Sequence, residues 1–199
     1  MPLREKHGPE IDAIVGRYAQ KRSAVLPLLY VAQDEYGHLT DAAIREVAGI
    51  LELPPTDVFE VVGFYTLFYN KPVGTWVLQV CDDVPCCFLG AEQLVATLEQ
   101  KLGVRADQTS ADGMFTVQRV KCLADCDRAP MLQANLEFYR QIDTPEKVDA
   151  MLTELLGRAS CLRVVTAEDG MAVQPNNIYV TPPNAELALL NSILHVFTP

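Results

Sequence analysis

The chain has 199 residues, 49% of them hydrophobic, and a formal net charge of −10. That length supports one ordinary core or two small ones. The acidity excludes non-specific nucleic-acid binding, because phosphate contacts need basic patches.

No apolar run reaches the roughly 18 residues of a membrane helix, so direct membrane insertion is not expected. The start, "MPLREKHGPE", has no apolar segment and carries two glutamates, unlike a secretory or transit peptide. A cytoplasmic location is expected. There, clustered cysteines read as metal-binding or catalytic, not as a disulfide framework.

Residues 9–70 read as helical. Ile11, Ile14, Val15 and Tyr18 follow the spacing of one buried helical stripe. A second helix is expected over 24–36, with Pro27 in its first turn and Gly37 as C-cap. Thr40 suits the N-cap of a third, whose stripe is Ile44, Val47, Ala48 and Leu51. Pro54 and Pro55 break the chain, and Val58, Val61, Val62 and Tyr65 mark a fourth helix. Short connections between four short helices suggest a small bundle.

The pattern changes at Lys71-Pro72-Val73-Gly74. "TWVLQV" (75–80) predicts a strand running into Cys81. A helix is expected at 90–102, and a second strand, "MFTVQRV" (114–120), runs towards Cys122. "MLQANLEFYRQ" (131–141) predicts a hairpin turning near Asn135. Thr144-Pro145-Glu146 opens a last helix to about Leu156. The order β-α-β-β-α matches a thioredoxin-like layout. The expected class is α+β: an N-terminal four-helix bundle (1–72), a thioredoxin-like α/β domain (73–157) and a short β-rich tail (158–199).

Five of the six cysteines fall in "VCDDVPCC" (80–87) and "VKCLADCDRAP" (120–130). Both windows start at the C-terminal ends of expected strands, where α/β folds commonly place their sites. The spacings are Cys81-x4-Cys86 and Cys122-x3-Cys126. Four thiolates from two loops suit zinc or an iron–sulfur cluster. Structural zinc favours two-residue knuckles, whereas these wider loops suit a two-iron core with one pair on each iron. There is no C-x-x-C, so a dithiol redox site is disfavoured. Asp82, Asp83, Asp125 and Asp127 among the cysteines argue against a packed core. Cys87 and Cys161 stand outside the paired spacing and read as small buried hydrophobes.

These two windows, with "VFEVVGFYTLFYNKPVG" before them and "TPEKVDAMLTELL" after, resemble the 24-kilodalton (E) subunit family of respiratory complex I, NADH:quinone oxidoreductase. The resemblance spans about residues 9–157. It implies one [2Fe–2S] cluster per chain on Cys81, Cys86, Cys122 and Cys126, held on a thioredoxin-like domain. It also implies a partner flavoprotein subunit carrying FMN and the NADH site, within a larger respiratory complex peripheral to the membrane on its cytoplasmic side. The same module occurs in NAD-linked hydrogenases and formate dehydrogenases, which are the alternatives. A zinc-stabilised interaction module is the alternative of another class. Two positions depart from the family pattern: Asp125, where a small residue is common, and Cys87.

The chain has eleven glycines, none within two positions of another, so it carries no dinucleotide fingerprint or P-loop. The chain is therefore not expected to oxidise a nicotinamide alone, and the resemblance places nucleotide and flavin on a partner, with no catalytic residue on this chain. The four aspartates, offset nearby only by Lys121 and Arg128, predict a low reduction potential. His7, His38 and His195 are scattered and read as surface or core-satisfied residues. Trp76 and the aromatics of 64–69 read as packing. In the tail, "AEDGM", "QPN" and "IYVTPPNAELAL" look like a fragment of the chemotaxis protein-glutamate methylesterase domain. That family's catalytic motifs are absent, so no activity is carried over. Strands are expected there at 178–181, 185–190 and 193–197.

Overall fold

In a computed structural model, residues 2–169 are described, with side chains described to residue 159. The expected tail strands lie outside the described residues. So do the side chain of Cys161 and His195.

Four helices come first: α1 (Pro2–Gly16), α2 (Val25–Tyr36), α3 (Asp41–Leu51) and α4 (Pro55–Phe64). α1 starts earlier than the sequence predicts and is kinked at His7, two residues before Pro9. It ends at Gly16, so Tyr18 leaves the expected stripe and is exposed. α2 closes on Gly37 in the left-handed conformation (φ 75°). Thr40 caps α3, its hydroxyl accepting from the Ala43 amide at 3.2 Å. The α3 stripe Ile44, Val47, Ala48 and Leu51 is buried against Leu28, Leu29, Val58 and Val62. Burying such side chains stabilises by about 1.5–3 kcal/mol each.

The sheet follows: β1 (Trp76–Cys81), β2 (Gln108–Thr109), β3 (Phe115–Val120), β4 (Leu132–Ala134) and β5 (Glu137–Tyr139), in the order β2-β3-β1-β4-β5. β1 and β3 are parallel neighbours, and the other pairings are antiparallel. Asn135 turns the β4–β5 hairpin at φ 55°. α5 (Val84–Phe88) and α6 (Ala91–Leu102) lie between β1 and β2, and α7 (Pro145–Asp169) closes the fold.

Alternation along β1 sends Trp76, Leu78 and Val80 into a core with Leu94, Leu98, Val148 and Leu155 of α6 and α7. Val77, Gln79 and Cys81 fall on the other face. There, buried Gln79 donates to the Thr66 carbonyl at 2.8 Å. Gln33 of α2 accepts from the Tyr69 amide at 2.8 Å and donates to the Leu67 carbonyl at 3.0 Å. Residues 66–69 are thus tied to both the helices and the sheet.

α7 does not stop near Leu156. Gly157 weakens a helix by roughly 1 kcal/mol but does not end one. Continuation buries Ala159 and sets Arg158 over the Trp76 ring at 5.0 Å. Arg158 also grips Glu137 of β5 through two bonds of 2.6 and 2.7 Å. The result is a mixed helix-and-sheet, thioredoxin-like fold of the α+β class.

Candidate iron–sulfur site

β1 and β3 end side by side, with Cys81 in register with Val120. The Asp82 amide donates to the Val120 carbonyl at 3.0 Å, extending the pairing one step further. The Cys81 amide donates to the Met131 carbonyl, beyond the second loop, at 3.2 Å. Both cysteine loops therefore leave the same edge of the sheet.

Cys86 lies on α5, a helix with no counterpart among the expected elements. Asp83 caps it by accepting from the Val84 amide at 2.9 Å, and Pro85 sits in its first turn. Both signals are present in the sequence, but five residues are too few to show a helical period. The helix turns Cys86 inward beside Cys81, where both are buried with Ala91 and Met131. Burial, and then the bond to Cys81, pushes the Cys86 thiol up to about 12.

The second pair is exposed. Cys122 and Cys126 bring their sulfurs to 3.7 Å. The bond to Cys122 comes first among the causes that raise the Cys126 thiol above its ordinary value. Between them Ala124 takes a left-handed conformation (φ 62°), which aims its amide at the Cys122 sulfur from 3.3 Å.

Among the described residues, no three His, Cys, Asp or Glu side chains converge on a single metal position. The four thiols come as two pairs, one buried and one exposed. A structural zinc needs all four on one ion, whereas a two-iron core needs two on each iron. The donor set fits the two-iron core. Cys87 is exposed, not the buried hydrophobe expected, and its sulfur lies 2.9 Å from the Asp82 carbonyl. α5 explains this: adjacent helical positions point about 100° apart, so Cys86 and Cys87 cannot both face inward.

The aspartates are better compensated than the sequence indicates. Asp82 meets Lys121 at 2.9 Å and Arg119 at 3.9 Å. Asp125 is paired with Arg140, and Asp127 with Arg128 at 3.3 Å. Arg140 escapes a sequence reading because tertiary pairing, not sequence proximity, brings it to Asp125, whereas Arg119 lies only three residues before Cys122 and meets Asp82 across the β1–β3 pairing. The expectation for the aromatics of 64–69 shifts, while those for Trp76 and His7 stand. Trp76 is packing, its indole donating to the Leu155 carbonyl at 3.0 Å, but Phe64 is 79% exposed. His7 bridges Glu10 and Glu35 at 3.3 and 3.1 Å, far in sequence from the cysteines.

A thioredoxin-like sheet with paired thiols at the ends of its central parallel strands is the frame of an iron–sulfur carrier. The profile of the thioredoxin-like [2Fe–2S] ferredoxin family matches residues 11–156, and the chain belongs to that family. It is 41% identical over 152 residues to the NADH-quinone oxidoreductase (E 2) subunit of Rhizobium meliloti, covering 76% of this chain and 88% of that one. It is 40% identical to the corresponding (E) subunit of Rickettsia bellii, covering 68% and 81%. The (E) subunit of Mycobacterium tuberculosis is 38% identical over 73% of this chain and 58% of its own length. An NAD⁺-reducing [NiFe]-hydrogenase chain shares the fold, with a TM-score of 0.54 and 22% identity; the match covers 65% of this chain and 22% of that one. The CheB methylesterase profile matches residues 132–197, overlapping the first match. No described helix is long and apolar enough to cross a membrane.

Proposed function

We propose that this chain is the electron-transfer subunit of an NADH:quinone oxidoreductase, with one [2Fe–2S] cluster on Cys81, Cys86, Cys122 and Cys126. The observation that carries the assignment is the placement of two thiol pairs at the ends of adjacent parallel strands. When bound, such a cluster takes up and gives back a single electron without a proton-transfer partner.

The chain's own residues do the rest. Cys81 and Cys86 grip from the buried side, and Cys122 and Cys126 from the exposed side. The Ala124 amide steadies the Cys122 sulfur. Exposed Val84, Phe88 and Leu89 form an apolar rim next to Cys86. Such a rim suits burial by another subunit. With no dinucleotide-binding loop, the chain relies on a partner flavoprotein for FMN and NADH. The partner closes over the exposed thiol pair, which shortens the path from its flavin. Residues 1–72 act as a four-helix bundle that widens the contact, and residues from 73 onward carry the redox centre. The assembly sits peripherally on the cytoplasmic side of a membrane complex.

The test is reduction of the chain followed by visible absorbance. NADH alone leaves the colour unchanged. NADH with a catalytic amount of the flavoprotein subunit bleaches it. Bleaching by NADH without flavoprotein would overturn the division of labour.

A further inference from the structure

We infer that Asp82 and Lys121 form a charge clasp between the two cysteine loops, holding the thiol pairs in register and balancing the charge at the redox centre. The inference rests on the four-cysteine assignment above.

Asp82 follows Cys81 directly, and Lys121 directly precedes Cys122. Their side chains meet at 2.9 Å, so the bond joins the loop of the first pair to the loop of the second. The Asp82–Val120 backbone bond lies at the same junction. The other Asp82 oxygen faces Arg119 at 3.9 Å. Arg119 is in turn held by Glu92 of α6 through two bonds of 2.6 and 2.8 Å.

An isolated exposed ion pair contributes little, and Lys121 is 83% exposed. This pair is not isolated. The Asp82 side chain is only 15% exposed and sits at the node of a network that includes a bidentate arginine. Networks of this kind are the exception to the rule. The network also sums to zero: two carboxylates, one guanidinium and one ammonium. Either charge of the clasp, removed alone, leaves the network with a net charge beside a centre that must accept negative charge.

Two signatures follow, and they separate. Loss of the bond loosens the loops whichever partner is removed. Loss of charge shifts the reduction potential with opposite sign for the two partners. Lys121→Met removes a positive charge and makes reduction harder; Asp82→Asn removes a negative charge and makes it easier.

The full chain, reconstituted with iron and sulfide, supplies both readouts. One is the midpoint potential by titration at low ionic strength. The other is the rate at which a chelator bleaches the visible absorbance. If the wild-type chain takes up no cluster, the cysteine assignment fails and the clasp falls with it. With the cluster present, Lys121→Met is expected to lower the potential and Asp82→Asn to raise it, both bleaching severalfold faster than wild type. The double variant should bleach fast at a near wild-type potential. Lys121→Arg should resemble wild type. High salt should narrow the potential differences. Wild-type bleaching rates in both single variants, or potential shifts of the same sign, would overturn the clasp.

Discussion

Cys81 ends β1 directly opposite Val120, the last residue of β3. Because the two strands are parallel, that register sends both loops off one edge of the sheet. It brings Cys122, two residues beyond Val120, towards Cys81 although forty positions separate them in sequence. The site is thus a consequence of strand pairing before it is a matter of loop conformation.

The first prediction separates ligands from bystanders. Cys81→Ser, Cys86→Ser, Cys122→Ser and Cys126→Ser should each abolish or distort the visible and paramagnetic spectra of the reconstituted chain. Cys87→Ala should leave them intact, because α5 points it outward. A lost cluster in Cys87→Ala with a retained one in Cys86→Ala would reverse the assignment of that adjacent pair.

Ala124 supplies the second. Its φ of 62° strains an L-residue by roughly 1–2 kcal/mol. Glycine relieves that strain but gains freedom in the unfolded chain. Ala124→Gly should therefore raise the stability of the metal-free protein by about 0.5–1 kcal/mol in urea unfolding. A loss of stability would show that the alanine methyl is needed for packing.

Gly74 gives a prediction of opposite sign. A Cβ there would lie 2.8 Å from the Phe115 nitrogen and 2.9 Å from the Met114 carbonyl carbon, both backbone atoms. Its amide also donates to the Thr116 hydroxyl at 2.7 Å. Gly74→Ala must push β1 and β3 apart at their start, costing about 1–3 kcal/mol. Unchanged urea unfolding would contradict so close an approach.

The fourth prediction concerns pH. Burial, and then repulsion from Glu10, raises the Asp34 carboxyl from 3.8 to about 6, partly offset by His7. A carboxyl raised on folding binds its proton more tightly in the folded state. Stability therefore falls as pH rises from about 4 to 6, and the penalty is fully present above 6. Asp34→Asn should raise the melting temperature at pH 7.5, worth roughly 1 kcal/mol once the solvent still reaching the group is allowed for. At pH 3.5 it should change little. An equal gain at both pH values would remove ionisation as the cause.

Much of this was legible in the sequence, for local reasons. Thr40 and Gly37 cap helices through their own chemistry, and the α3 stripe needs only the helical period. Asn135 marks a hairpin turn because asparagine tolerates positive φ. The cysteine windows were visible because each follows an apolar β run. What was not legible is short or tertiary. α5 and β2 have five and two residues, too few for a period. Arg119 and Arg140 join the aspartates only after the sheet forms. The extension of α7 past Gly157 depends on Trp76 and Glu137, contributed by distant strands.

The most direct test of the central claim is the iron and acid-labile sulfide content of the full chain after anaerobic reconstitution, read with the paramagnetic spectrum of the reduced form. The account predicts two irons and two sulfides per chain and a rhombic spin-half signal, lost in each of the four ligand variants. Stoichiometric zinc in a colourless protein, with no iron retained, would contradict it.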